Sequence, residues 1–120
     1  MSANLLWNWL PATCVMVAIS LVYFATDKSV RLGSRLVSSA HGLLGAAIFS
    51  GAMAAWSAGW SSASLSWPFT LLFLLPIASI FGSLALRQGS RLVHLLLVPE
   101  LACLAWAWFV GGMAATNDWL

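Results

Sequence analysis

One glutamate and two histidines are the residues of this sequence that could do chemistry away from water. Glu100 lies in an apolar run nine positions after Arg91, while His41 follows Arg35 by six positions and His94 follows Arg91 by three. An ionisable side chain inside an apolar segment points to a functional site, because burying it is costly. Whether these groups act together depends on the elements that position them.

Glu100 is the first candidate, with Pro99 directly before it. Counted from Arg91, a helix rise of 1.5 Å per residue places Glu100 about 13 Å deep, near the middle of a hydrocarbon core about 30 Å thick. On this count no basic side chain lies at the same depth, and Cys103 is its one polar neighbour. Pro99 removes a helix hydrogen bond, and a broken helix beside a mid-depth acid is typical of ion or proton sites. The other interpretation is a protonated structural acid bonded to a hydroxyl, a carbonyl or a partner subunit, and we favour it because a single acid without a polar pathway is a weak conduit.

His41 and His94 form the second candidate, at depths of about 9 Å and about 4–5 Å. Two such imidazoles could bind a b-type haem axially, with Arg35 or Arg91 near the propionates. No further haem motif accompanies them, no third ligand completes a metal site, and no catalytic triad or phosphate loop is present. We therefore expect no catalytic residues, no metal and no cofactor, with haem b as an alternative, and we expect that the chain is not an enzyme.

Composition indicates the medium in which these residues lie. The chain has 120 residues, of which 62% are hydrophobic and 7% are charged, whereas a soluble domain carries about 25% charged residues. Four apolar runs, 5–25, 36–59, 67–86 and 92–115, each reach the length of about 20 residues that a membrane-spanning helix needs. The prediction is one all-α integral membrane domain, 1–120, folded as a four-helix transmembrane bundle. The sequence has no basic patch interleaved with aromatic residues, so we do not expect nucleic acid as a partner.

The five cations predict an orientation. They lie in the first and third loops and act as cytoplasmic anchors: Lys28, Arg31, Arg35, Arg87 and Arg91. Positive charge favours the cytoplasmic side, so both termini are predicted to be external to the inner (plasma) membrane. An aromatic belt is expected at the outer interface, formed by Trp7, Trp9, Trp56, Trp60, Trp67 and Trp119.

A short repeat joins the two charged loops. Residues 31–37 and 87–93 are identical at six of seven positions. One interpretation is a duplicated helical hairpin, which would make the fold two tandem hairpins. The other is that two cytoplasmic turns converged on one sequence.

Small residues recur every four positions in the second apolar run. They form one stripe of Ser38, Gly42, Ala46, Ser50, Ala54 and Ala58, beside a second stripe of Ala47, Gly51, Ala55 and Gly59. Small residues let helix backbones approach closely where lipid supplies no hydrophobic force. We expect this helix to be central in the bundle or to dock a partner chain, and we expect it to be met by four small residues of the third run, Ala78, Ser79, Gly82 and Ser83.

These observations support three hypotheses about function. The first is a non-enzymatic packing or assembly subunit of a homo-oligomer or a larger membrane complex, with the lipid bilayer, copies of itself or other membrane subunits as partners. The second is a small oligomeric transporter or channel that couples to protons or ions through Glu100. The third is a membrane anchor linked to haem or quinone.

Overall fold

The computed structural model describes residues 3–25, 31–86 and 91–118, and every element within them is helical. The all-helical class predicted from composition is therefore confirmed for this part of the chain. Two 3₁₀ segments, Ala63–Leu65 and Arg91–Leu96, precede α4 and α6 respectively. The α-helices are α1 (Ala3–Ala25), α2 (Leu32–Ser39), α3 (His41–Ser57), α4 (Ser66–Leu72), α5 (Leu74–Leu86) and α6 (Leu97–Thr116).

Three stretches of the described chain are long and apolar enough to cross a membrane. They are Leu6–Ala25, Ala63–Ala85 and His94–Thr116, of 20, 23 and 23 residues. The predicted run 36–59 corresponds instead to α2 and α3, whose axes differ by 49°. The candidate spans number three, or four if this bent pair is one broken span.

The core lies where α1, α3 and α6 pack against one another. Helix α5 covers α2 and α3 from one side, and α4 packs on α6. Large apolar side chains are buried between these helices. Their packing contacts stabilise the bundle, in addition to any effect of excluding water. The buried core includes Met16, Phe49, Met53, Phe69, Leu104 and Ala107.

Three prolines explain where the apolar runs break into shorter helices. Pro68, Pro76 and Pro99 are each the third residue of their helix, in α4, α5 and α6. Backbone N–H groups in a first helical turn have no acceptor within the helix. A proline therefore sacrifices no bond at this position, and a new helix begins there rather than continuing through it.

The predicted small-residue stripe is divided between two environments. Its first members pack inside the bundle, whereas its last members are exposed: Ser38, Gly42 and Ala46 are buried, Ser50 is half-buried, and Ala54 and Ala58 are exposed. The second stripe faces outward, with Ala47, Gly51 and Gly59 exposed and Ala55 half-buried. The stripe therefore serves packing within this chain from Ser38 to Ser50, whereas Ala54 and Ala58 lie on the surface.

Gly42 makes the closest approach between helices. A Cβ atom at this position would overlap the carbonyl oxygen of Met16 and lie 2.6 Å from Oγ of Ser20, both in α1. Gly45, one turn later, is nearly as tight, because a Cβ there would lie 2.5 Å from Cδ2 of Leu104. Glycine at these two positions lets α3 lie against both α1 and α6.

Indole N–H groups link the helices at one end of the molecule. Each of four tryptophans donates one hydrogen bond, at 2.9–3.3 Å, to a residue of another element. The bonds run from Trp9 to Oγ of Ser50, from Trp56 to Oδ1 of Asn117, from Trp106 to the carbonyl of Asn8, and from Trp108 to Oγ1 of Thr70. We call this region the tryptophan end. Of the other predicted belt residues, Trp7, Trp60 and Trp67 are exposed, and Trp119 lies outside the described residues.

Candidate functional site

The break between α2 and α3 creates the candidate site. Ala40 ends one helix and precedes the next, so His41 becomes the first residue of α3 and its side chain is fully buried. The first backbone N–H groups of a helix need acceptors from outside it. Here the N–H of Leu43 donates to Oγ of Ser20 in α1 at 2.9 Å. Ser20 thus replaces the capping residue that Ala40 cannot provide.

Glu100 reaches the same place from the opposite helix. The 3₁₀ segment ends at Leu96, α6 begins at Leu97, and Glu100 is the fourth α-helical residue, with its side chain fully buried. Pro99 fits the first turn of α6, and the expected disruption of the helix falls immediately before that turn. The sequence therefore located both the acid and the irregular helix beside it.

His41 and Glu100 form a buried pair. Nδ1 of His41 lies 2.5 Å from Oε1 of Glu100, and neither side chain is exposed. At this distance the two atoms share one proton, so the pair is either imidazolium with carboxylate or imidazole with carboxylic acid. Both forms are neutral overall, and the first residue of α3 adds the positive end of a helix dipole beside the carboxyl group. A proton shared by the pair therefore adds no net charge to this apolar interior.

The sequence-based expectation that no basic side chain lies at the depth of Glu100 is wrong. Depth was counted along straight helices, which separated His41 from Glu100 by about 4 Å. The 49° bend tilts α2 away from α3, so a count from Arg35 does not measure the depth of His41. A side chain also spans such a difference easily.

Each member of the pair has a second polar atom with no partner among the described residues. Nε2 of His41 and Oε2 of Glu100 are both buried and unbonded, as is Oγ of Ser83 in α5. A buried polar atom without a hydrogen bond costs about 1–3 kcal/mol. Such atoms are rare in folded proteins and point to a bound water, an ion or a proton-transfer role.

Tyr23 extends the polar group toward the second histidine. Its ring lies edge-on to the imidazole of His41, with centroids 4.6 Å apart, and its hydroxyl is 3.0 Å from Nδ1 of His94. Tyr23 is fully buried and His94 is half-buried. We call Tyr23, His41, His94 and Glu100 the histidine end. Sequence analysis missed Tyr23, although the single tyrosine of the chain follows Ser20 by three residues, a spacing that places both on one helix face.

The histidine end does not favour a haem between the two histidines. The Tyr23 ring contacts both imidazoles, at centroid distances of 4.6 Å and 5.9 Å, where a porphyrin would have to lie. The described residues contain no group of three histidine, cysteine or acidic side chains that could hold a metal ion.

Serines of α5 meet the bent helix pair, as the small residues of the third run led us to expect. Oγ of Ser79 donates to the carbonyl oxygen of Val37 in α2 at 2.5 Å, and Ser83 is fully buried one turn later. This bond ties α5 to the segment just before the break.

The predicted cytoplasmic anchors lie apart from the buried pair where they are described. Arg31 is exposed and precedes α2, and the guanidinium of Arg35 lies 4.5 Å from the centre of the Phe24 ring. Lys28 and Arg87 lie outside the described residues, as does the side chain of Arg91.

Comparison with known proteins does not indicate an activity for this site. The chain matches no protein family, no curated protein and no solved structure.

Proposed function

We propose that this chain is a small multi-pass membrane protein that transfers protons at the His41–Glu100 pair, as the proton site of a channel or of a proton-coupled transporter. The observation that carries the proposal is the pair itself: two fully buried ionisable side chains, 2.5 Å apart at a helix break. Each retains a second atom, Nε2 or Oε2, that has no partner in the part of the chain that the structure describes, and through this atom a proton can arrive or leave.

The energetics of a buried pair favour a functional role over a structural one. Replacing such a pair by apolar residues of similar volume is often neutral or stabilising, by about 1–4 kcal/mol. Stability alone therefore gives little reason to place His41 and Glu100 in an apolar core. The sequence-based preference for a structural acid assumed that Glu100 had no polar neighbour besides Cys103, and the contact with His41 removes that assumption.

The proposal includes a topology. We take α2 and α3 as one broken span, which gives four spans in all and leaves both termini on the external face of the inner membrane. Broken helices are common at the ion and proton sites of transporters, and the cations of the first and third loops favour the cytoplasm. A membrane-impermeant thiol reagent should label Asp118→Cys in intact cells of a variant lacking Cys14 and Cys103, but not Ser29→Cys. Labelling at Ser29→Cys alone would reverse the topology.

Proton flux into vesicles tests the activity. Purified protein is reconstituted with an internal pH-sensitive dye, and a potassium gradient with valinomycin supplies the driving force. Wild type should acidify the lumen above the rate of protein-free vesicles. Glu100→Gln preserves shape and most hydrogen bonding but cannot ionise, so its flux should fall to that background. Asp118→Asn, which removes an exposed acid outside the site, is the matched control and should match wild type.

A second measurement is needed because a proton-coupled transporter would show no proton flux in vesicles that lack its co-substrate. A hydrophobic carbodiimide modifies carboxyl groups that exchange protons within a membrane, and mass spectrometry locates the adduct. We expect the carbodiimide to modify Glu100 in wild type and to modify Glu100 much less in His41→Phe. Background flux in wild type together with an unreactive Glu100 would refute the proposal.

The exposed part of α3 favours assembly as a second candidate function. Ala47, Gly51 and Ala55 line an open groove together with Leu65 and Leu72, so small residues remain available for close helix approach from outside the chain. Size in mild detergent, compared between wild type and Gly51→Leu, tests this candidate. A monomer in both cases would count against it.

A further inference from the structure

Polar side chains extend from the His41–Glu100 pair in one direction. On that side Tyr23 packs edge-on against His41 and its hydroxyl meets Nδ1 of His94 at 3.0 Å. His94 lies in the 3₁₀ segment Arg91–Leu96 and is half-buried. Polar groups therefore lead from the pair toward the two charged loops.

The other side of the pair is closed by apolar packing. Gly45 follows His41 by one turn, and a Cβ there would meet Cδ2 of Leu104 and Sδ of Met16, which shows that these side chains converge above the imidazole. Met16 is fully buried, as is Phe49 one turn further along α3. No ordered polar group bridges this layer among the described residues.

We propose that the pair exchanges protons with one face only, the face of the charged loops, and that His94 and Tyr23 are the residues that carry protons to it. The path starts from the pair without its shared proton, in which the imidazole carries hydrogen on Nδ1 beside the Glu100 carboxylate and Nε2 is free to accept. A proton taken up by His94 passes to the Tyr23 hydroxyl, which releases its own proton over one water molecule to Nε2 of His41. Nδ1 of His41 then gives its proton to Oε1 of Glu100. Each step moves one proton: His94 and Tyr23 end neutral, and the pair ends as a neutral imidazole, with its hydrogen on Nε2, beside protonated Glu100. This inference rests on the proposed proton transfer at His41 and Glu100.

The groups facing this path come from each of the packed elements. Helix α1 contributes Tyr23, α3 contributes His41, and the 3₁₀ segment contributes His94. Helix α6 contributes Glu100, with Cys103 three residues later, while the serines of α5 do not titrate. Helix α2, which packs on α1, carries the half-buried Arg35, whose guanidinium lies over the Phe24 ring. His94 is half-buried and in contact with Tyr23, which makes it the point of exchange with water.

Infrared spectroscopy after a pH jump tests access to Glu100 independently of transport. Vesicles are assembled with all copies in one orientation, and the carboxyl signal of Glu100 is identified by its loss in Glu100→Gln. The signal should respond when the pH changes on the side of the charged loops and not when it changes on the side of the termini. Tyr23→Phe keeps the ring against His41 but removes the hydroxyl, and should slow the response about 10²-fold. His94→Gln should have an effect of similar size.

The control lies on the other side of the apolar layer. Thr13, ten residues before Tyr23 in α1, has a buried hydroxyl without a partner, so Thr13→Val should leave the response unchanged. An equal response from both faces, no response from either face, or wild-type rates in both Tyr23→Phe and His94→Gln would overturn the inference. A one-sided response without vesicle acidification would preserve it while refuting transport across the membrane.

Discussion

At both ends of the molecule side-chain hydrogen bonds join the helices, but the chemical groups that form these bonds differ. At the tryptophan end, neutral indole N–H groups donate to neutral acceptors, and each indole has one donor and one partner. At the histidine end, the groups are ionisable, and His41 and Glu100 each keep an unpartnered atom. Neutral bonds suffice to hold helices together, so ionisable groups with spare atoms indicate a role that neutral groups cannot fill.

The largest loss of stability is expected at Gly42, because both ends of the molecule depend on the packing of α3 against α1. Gly42→Leu would drive a side chain into the backbone of Met16, and overpacking of a well-packed core costs about 1–3 kcal/mol or more. Because the obstacle is backbone rather than a movable side chain, we expect loss of the folded bundle, seen as aggregation in detergent. Gly51→Leu is the matched control, since nothing lies within 4 Å of a Cβ there. Equal behaviour of the two variants would show that α1 and α3 do not approach as described.

The second effect isolates the histidine end. His41→Leu or Glu100→Leu alone should lower the free energy of unfolding by about 3–5 kcal/mol, because each leaves a buried group without its partner. The double variant should recover most of that loss, since no unpaired polar group remains. Unfolding in mixed micelles, arranged as a double-mutant cycle, measures this coupling. Additive losses would mean that the two side chains do not interact.

A smaller effect is expected at the tryptophan end. Trp9→Phe removes the bond to Ser50 but keeps most of the ring, and should cost about 0.5–1.5 kcal/mol. Proton flux and the carboxyl response of Glu100 should be unaffected, which would separate the roles of the two ends. A loss of flux without loss of folding in Trp9→Phe would erase the distinction.

The smallest effect compares two serines of α5. Ser79→Ala removes a hydrogen bond to Val37 and should cost about 1 kcal/mol. Ser83→Ala removes a buried hydroxyl that has no partner among the described residues, and should be neutral or slightly stabilising. A clear destabilisation by Ser83→Ala, in the same micelle assay, would reveal a bound water or ion at its hydroxyl.

Composition was enough to predict an all-helical fold, and the position of Glu100 in an apolar run was enough to mark it as a candidate. The pairing with His41 was not predictable, because it depends on a bend at Ala40, where neither proline nor glycine marks a break. The small-residue stripe predicted close packing at Gly42, but periodicity alone could not show that the same stripe becomes exposed at Ala54. Tyr23 carried only a weak signal, since a lone tyrosine near the end of an apolar helix more often marks an interface.

The close approach at Gly42 and the pairing of His41 differ in when they can form during synthesis. Helix α1 leaves the ribosome before α3, so Met16 and Ser20 are already present when Gly42 and the N–H of Leu43 need them. Glu100 follows His41 by 59 residues, a delay of about 3–12 s at translation rates of about 5–20 residues per second. The imidazole of His41 therefore remains without its carboxyl partner until α6 is synthesised, and the packing of α6 completes the buried His41–Glu100 pair. Packing of the last helix and assembly of the proposed proton site are thus a single event.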